Sequence, residues 1–465
     1  MKDVIFFSPP DIRAFGNIDV RHIDADMFPL GIAYIASYLR ENNFSVGLID
    51  LRYYGNKWQN VIENVIKREA PRFVGIPCVT PTILEVMKIS EIVKRINPGI
   101  KVVWGGPHPS ALPEECMKFK YVDMITIGEG EETFKELISG KRLSQIKGLC
   151  YRDKKDKVKI NPRRALIQNL DKLPWPAYDM LPLERYGNPF LGKSLIMVTG
   201  RGCPYNCAFC SSKVIHQGKY RVRSPKNVVD EIEYLYKKYN VKKIMFVDDT
   251  FTAYPQRTME ICKELIRRGI KIEWACDTRV NFITEELLRI MKKAGCRLVK
   301  FGVESGDQKI LNIIHKGITL EQVRRAVALA KKVGLQTHGF FIIGHPYDTK
   351  ETIMKTIRFA KELKLDYAQF SVMTPLPGTE VLTMAEHDKG IKLLTKDWWR
   401  FQRYGRPVIE LPSVSAKELT YYHKLAYRSF YFSAGYIFRR IMHTKISEFP
   451  KLVIRAFSLF KFITK

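Results

Sequence analysis

Residues 201–210, Arg-Gly-Cys-Pro-Tyr-Asn-Cys-Ala-Phe-Cys, place three of the chain's nine cysteines within eight positions. An apolar, strand-like run at residues 195–199 (LIMVT) leads straight into them. That run opens a series. Residues 195–199, 243–247, 271–276, 297–303, 336–343 and 367–373 all read as strands, with helical patterns such as 225–239 and 320–333 between them. Strands separated by helices build a parallel sheet with crossover connections, and six of them predict a closed or partial (β/α)6 TIM-like barrel. In barrels of this kind the chemistry gathers at the carboxyl ends of the strands. The cysteine stretch sits at the first of those ends.

Working towards the amino terminus, a second alternating series covers residues 1–140. Strand patterns at 3–7, 45–50, 73–80, 101–106 and 123–131 alternate with helical ones at 30–43, 84–96 and 133–138. Five such strands predict a flavodoxin-like (Rossmann-like) doubly wound sheet, which binds ligands beyond its carboxyl strand ends. The residues there are Ser8-Pro9-Pro10, Thr80-Pro81-Thr82, Gly105-Gly106-Pro107-His108 and Gly128-Glu129-Gly130. Their glycines suit close backbone approach to a bulky ligand. Residues 141–192 hold a charged hairpin pattern (RDKKDKVKINPRR) and a proline-punctuated stretch (LDKLPWPAYDMLP), and read as a connector. The expected organisation is therefore 1–140, a connector at 141–192, a barrel at 193–395 and a helical extension at 396–465.

Composition agrees with a folded chain. At 46% hydrophobic and 12% aromatic residues, 465 residues can fill two or three cores, and no repeat or low-complexity tract appears. The amino-terminal MKDVIFFSPPD has too short an apolar run for a signal peptide and reads as a buried strand. No run of 18 apolar residues predicts a membrane-spanning helix. The six other cysteines are scattered in apolar contexts, which fits free thiols in a reducing cytoplasm rather than a disulfide framework. The formal charge of +29 admits nucleic acid, an anionic membrane, an acidic substrate or a lysine-rich solvated surface. It is uneven: residues 396–465 hold 14 Lys+Arg against 4 Asp+Glu.

The cysteine spacing is C-x3-C-x2-C. A structural zinc site closes with four ligands, and His216 is the available fourth, so a non-enzymatic Cys3His zinc protein stays open. An iron–sulfur cluster held by three thiolates instead keeps one iron open to a further ligand.

Cys203-x3-Cys207-x-Phe209-Cys210, with an aromatic residue before the third cysteine, resembles the signature of radical S-adenosylmethionine enzymes. FVDDTF (246–251), WACDTRVN (274–281), FGVESG (301–306), FIIGHPYDT (341–349) and TPLPGT (374–379) are similar to that family's strand ends. The resemblance implies a 4Fe–4S cluster on Cys203, Cys207 and Cys210. It also implies S-adenosylmethionine on the open iron, cleaved by the reduced cluster to a 5′-deoxyadenosyl radical. Phe209, Asp248, Arg279, Glu304 and Pro375 are then expected around S-adenosylmethionine. Glu304 would accept hydrogen bonds from its amino or ribose groups, and Pro375 and Leu376 would offer backbone contacts to adenine. Each can also be read as a strand-end residue that holds a loop.

PLGIAYIASYLREN (29–42), VVWGGPHPSALPEE (102–115) and IGEGEETF (127–134) resemble the cobalamin-binding domain of B12-dependent radical enzymes. With LDKLPWPAYDML (170–181), the resemblance covers roughly residues 1–395. It implies cobalamin against Thr80, Gly105, Gly106, His108, Glu129 and Gly130. The chain has no Asp-x-His-x-x-Gly motif, which members of this subfamily commonly lack, so the lower axial ligand of cobalt stays open. The implied reaction is methylation of an unactivated carbon in a small-molecule or lipid-like substrate, with cyclisation or carbon–carbon bond formation as the alternative. The implied reductant is a ferredoxin or flavodoxin. The basic, aromatic-rich tail reads either as helices capping the barrel or as an amphipathic contact with an anionic membrane at its cytoplasmic face. No nucleic-acid module is present, and nucleic acid is not an expected partner.

Overall fold

The computed structural model describes residues 2–10, 28–188, 190–402 and 405–443. The tail stretch PKLVIRAFSLFKFITK lies outside the described residues.

The first sheet contains β1 (Val4–Ser8), β2 (Val46–Asp50), β3 (Phe73–Pro77), β4 (Lys101–Gly105) and β5 (Met124–Thr126), all parallel in the order β2-β1-β3-β4-β5. This is the flavodoxin-like order, with its switch point between β1 and β3. β1 is apolar on both sides because helices cover both faces. Val4 and Phe6 pack with Ile32, Ala36 and Phe134, whereas Ile5 and Phe7 join Trp58, Ile62, Val86 and Ile89. The charged hairpin pattern within the expected connector extends this sheet. β6 (Leu149–Arg152) and β7 (Val158–Ile160) form a hairpin, and β6 runs antiparallel to β5. Asp153 shapes its turn by accepting from Lys155 N at 2.8 Å and Lys157 N at 3.0 Å.

The second sheet has six strands, β8 (Leu195–Met197), β9 (Lys243–Phe246), β10 (Glu273–Thr278), β11 (Cys296–Glu304), β12 (Gln336–Ile343) and β13 (Tyr367–Val372). They are parallel and lie side by side in chain order. The sheet does not close: among the described residues β8 and β13 do not pair, so the barrel is partial.

An open edge exposes unpaired backbone groups. Here the Ala416–Tyr431 helix supplies the missing partners for β13. Tyr427 Oη donates to the Phe370 carbonyl at 3.1 Å, His423 Nε2 is 3.0 Å from the same oxygen, and Tyr431 Oη donates to the Ala368 carbonyl at 2.7 Å. This part of the tail thus caps the barrel. The following helix, Ala434–His443, leaves Ile437, Phe438, Ile441 and Met442 exposed. No helix among the described residues is long and apolar enough to cross a membrane.

Candidate functional site

The cysteine loop is held from its first residues. Gly200 and Arg201 pair antiparallel with Val222 and Arg221. Gly202 then turns at φ +86°, where a Cβ would collide with the Lys219 carbonyl and stand 2.8 Å from His216 Cβ, so a side chain has no room. Ala208 N donates to the Ile314 carbonyl at 3.0 Å, and Val381 N donates to the Ala208 carbonyl at 3.1 Å. The segments following β11 and β13 therefore clamp the loop.

Cys207 is buried and Cys203 and Cys210 are half-buried, all as free thiols. Burial raises the Cys203 thiol and pushes the Cys210 thiol up to about 11. Neither becomes a thiolate at neutral pH unless a metal takes the place of the proton. Among the described residues, no three His, Cys, Asp or Glu side chains converge on a point that one ion could occupy. His216 Nδ1 faces Arg221 Nη2 at 3.2 Å. The Cys3His zinc alternative is therefore unsupported. A 4Fe–4S cluster gives each thiolate its own iron, so it does not require convergence on one point. A cation also stands beside the thiols: Arg279 Nη1 is 3.6 Å from Cys207 Sγ, and its guanidinium lies 3.7 Å over the Tyr205 ring. Three thiols with an adjacent buried guanidinium fit an anionic cluster.

Around this loop the strand ends bring together Phe209, Arg279 and Glu304. Glu304 closes β11 at φ +69° beside a register shift, a strained conformation for a residue other than glycine. Lys316 Nζ donates to Glu304 Oε1 at 2.7 Å, and the Lys316 carbonyl accepts from Arg279 Nη2. Pro375 is buried just past β13. Asp248 behaves differently. Both its oxygens accept from Thr199 N at 3.1 Å, and Oδ1 also accepts from Thr199 Oγ1 at 2.8 Å. It fixes the end of β8, and burial raises its carboxyl to about 6.

Two residues here were not foreseen. Lys316 lies far from any motif and gives no spacing signal. His345 stands inside FIIGHPYDT, where a histidine directly after a strand-end glycine was the available signal. It is fully buried, 5.8 Å from the Phe209 ring, and neither ring nitrogen makes a regular hydrogen bond. The Glu304 backbone is near enough to favour its protonated form slightly, but burial dominates and lowers the ring to about 3.

The first sheet's strand ends form a second edge. Cys78 N donates to the Gly105 carbonyl at 2.8 Å, and His108 N donates to the Cys78 carbonyl at 3.3 Å. Gly106 sits at φ +102°, where a Cβ would stand 2.9 Å from the Cys78 carbonyl oxygen. His108 Nδ1 is 3.0 Å from Thr80 Oγ1, while its buried Nε2 has no hydrogen-bond partner. Burial lowers this ring to about 4, so it is neutral. Trp398, from the carboxyl-terminal region, meets His108 edge-on at 5.9 Å. Bare glycine backbone and an unpartnered imidazole nitrogen fit a large ligand that brings its own polar groups.

Glu129 and Gly130 do not share this arrangement. Glu129 gives both oxygens to Arg201, Arg221 and Ile167 N, and Gly130 leaves room for Ile35, whose Cδ1 would be 2.7 Å from a Cβ. The two edges nevertheless meet. The Pro107–Ala111 helix packs against the Ser212–His216 helix that follows Cys210.

Residues 197–360 match the model of the radical SAM superfamily, and residues 16–138 match that of the B12 binding domain. A protein named as an uncharacterised methyltransferase of Pyrococcus horikoshii is 39% identical over 411 residues, 87% of this chain and 87% of its own length. An anaerobic magnesium-protoporphyrin IX monomethyl ester cyclase of Rubrivivax gelatinosus is 29% identical over 420 residues, 88% of this chain and 74% of its own. The solved structure of the radical S-adenosylmethionine methyltransferase TsrM from Kitasatospora setae, with cobalamin and a 4Fe–4S cluster bound, has the same fold. Its TM-score is 0.71 at 19% identity, over 85% of this chain and 81% of that one.

Proposed function

The chain belongs to the radical S-adenosylmethionine enzymes that carry a B12-binding domain, and we propose that it methylates an unactivated carbon of a small-molecule or lipid-like substrate. Enzymes of this family act on a substrate and take electrons from a reductant, and we assign a ferredoxin or flavodoxin to that role. The observation that carries the reading is the contact between the two edges: the Gly105-Gly106-Pro107-His108 turn abuts the helix that follows the cysteine loop.

When bound, the cluster with S-adenosylmethionine supplies a 5′-deoxyadenosyl radical, and cobalamin supplies a transferable methyl group. The chain's own residues hold and shield them. Cys203, Cys207 and Cys210 would each hold one iron of the cluster, and Arg279 would offset the negative charge of the thiolates. Phe209, Glu304, Pro375 and the unforeseen His345 would line the S-adenosylmethionine site. The neutral His345 adds no charge that would repel its sulfonium. Asp248 acts indirectly, by fixing Thr199 at the base of the cysteine loop. Thr80, Gly105, Gly106 and His108 receive cobalamin. Burial of Arg279, Glu304 and His345 keeps water away from the reacting atoms.

In this reading residues 1–140 and 193–395 are the cobalamin and radical units, 141–192 connects them and 396–465 is the extension. The exposed Ile437, Phe438, Ile441 and Met442, beside Arg439, support peripheral contact with an anionic membrane and hence a cytoplasmic location at its inner face. Cyclisation is the second reading, favoured by the Rubrivivax relative. The test uses anaerobic, cofactor-loaded protein with S-adenosylmethionine carrying a deuterated methyl group, and lipid and small-molecule fractions of the source cells. A product that gains the labelled methyl supports transfer. A product that forms with 5′-deoxyadenosine and no label supports cyclisation instead.

A further inference from the structure

Glu129 was expected at the cobalamin edge, yet its carboxylate is spent on the other unit. Oε1 accepts from Arg201 Nη1 at 2.9 Å and Arg221 Nη1 at 3.0 Å, and Oε2 accepts from Arg221 Nη1 at 2.9 Å and Ile167 N at 2.9 Å. Glu131 takes the other arm of Arg201, Nη2 to Oε1 at 2.6 Å. All four side chains are buried, with exposures of 13% or less. Arg201 also lies over the Tyr34 ring, 5.2 Å from its centroid. Burial alone would raise the Glu129 carboxyl, but the hydrogen bonds and charges of Arg221 and Arg201 outweigh it and hold it low.

The position of this cluster matters. Glu129 and Glu131 follow β5, in the loop that Ser110 ties to the Gly106–His108 turn through Gly128 N at 3.0 Å. Arg201 is two residues before Cys203, with Gly202, which has no room for a side chain, between them. The path from the cobalamin edge to the first iron ligand therefore runs through the Ser110–Gly128 hydrogen bond, the buried charge-assisted contacts of Glu129 and Glu131 with Arg201, and two backbone steps to Cys203. Two carboxylates and two guanidinium groups balance in charge, and burying such a set is expensive unless every member stays paired. Two sheets could pack against each other through apolar contacts alone. An ion cluster fixes register and orientation as well.

We propose that Glu129, Glu131, Arg201 and Arg221 are positioning residues that set the separation and orientation of the cobalamin relative to the 4Fe–4S cluster. The inference rests on the two-cofactor reading above. Its test is pulsed electron paramagnetic resonance on protein loaded with cob(II)alamin and the reduced cluster, which yields the distribution of distances between the two paramagnets without turnover. Wild type should give one narrow distribution. Glu129→Gln should broaden it about twofold or more, since the buried Arg221 keeps the Ile167 carbonyl and His216 as partners but loses its counter-charge, while both cofactors remain stoichiometric. Glu131→Gln, which leaves Arg201 one partner, should broaden it less. A residue that merely supported folding would lower cofactor loading and leave the distribution of the loaded fraction unchanged. Wild-type distributions in both loaded variants overturn the proposal; if Glu129→Gln does not fold, Glu131→Gln alone decides. Wild-type protein that takes the cluster but no cobalamin overturns the two-cofactor reading and this inference together, before any variant is made.

Discussion

Arg279 Nη1 stands 3.6 Å from Cys207 Sγ, and this guanidinium is the cation placed nearest the thiols by direct contact among the described residues. Its other arm donates to the Lys316 carbonyl, whose own ammonium is paired with Glu304, so it is held in place from β11's side. Sequence separation hides the relationship: the two residues are 72 positions apart.

A fixed positive charge favours the more negative, reduced state of an iron–sulfur cluster. Arg279→Met should therefore lower the cluster's reduction potential, by on the order of 100 mV for one charge several ångströms away in a partly buried setting. Arg279→Lys should recover part of the difference. Redox-poised electron paramagnetic resonance of the reconstituted cluster measures it, and an unchanged potential in Arg279→Met would count against the charge-offset role.

Gly106 tests the cobalamin edge. Its φ of +102° disfavours any side chain, and a Cβ would press on the Cys78 backbone. Gly106→Ala should cost about 1–3 kcal/mol of stability and displace the His108 turn. Corrinoid absorbance should show a markedly weaker cobalamin affinity, with iron and sulfide content retained in the folded fraction. Equal loss of both cofactors would mean that the turn serves the whole fold rather than one ligand.

Buried neutral histidines give the protein a defined acid sensitivity. Burial lowers His423 to about 4, against about 6.5 for an unfolded histidine. Below pH 6.5 the unfolded chain binds the extra proton, so stability present above that pH is lost progressively as pH falls towards 4. For His423 the loss amounts to about 2 kcal/mol between about pH 6.5 and 5. Asp248 and Asp348, both raised to about 6 by burial, act with the opposite sign between about pH 4 and 6 and are untouched by a change at His423. His423→Gln, remote from the cysteines, should flatten the acid limb by close to one proton. Denaturant titrations at several pH values measure this, and an unchanged slope would contradict it.

The architecture was legible because periodicity is local. Apolar strand runs and amphipathic helices announce themselves within a dozen residues, and both sheets follow from their alternation. Pairing is not local. The residues 149–160 hairpin reads as a hairpin from its own charges and turn, but nothing in them shows that β5 offers an open edge to receive it. The tail helix reads as amphipathic, but its tyrosines' bonds to the β13 carbonyls depend on a strand more than 50 positions earlier. The cysteine cluster was legible because three thiols share one loop. Glu129 and Asp248 lie at strand ends, but the partners that engage their carboxylates are 72 and 49 positions away and leave no local signal. Lys316 gave no signal at all, since its role comes from an ion pair that only the fold creates.

The most direct test of the radical reading is a single assay. Protein purified anaerobically and reconstituted with iron and sulfide is mixed with S-adenosylmethionine and dithionite, and 5′-deoxyadenosine is quantified beside the Cys203→Ala/Cys207→Ala/Cys210→Ala variant. The expected result is 5′-deoxyadenosine from wild type and none above background from the variant. A wild-type protein with a fully assembled cluster that leaves S-adenosylmethionine uncleaved, with cobalamin present or absent, would contradict it.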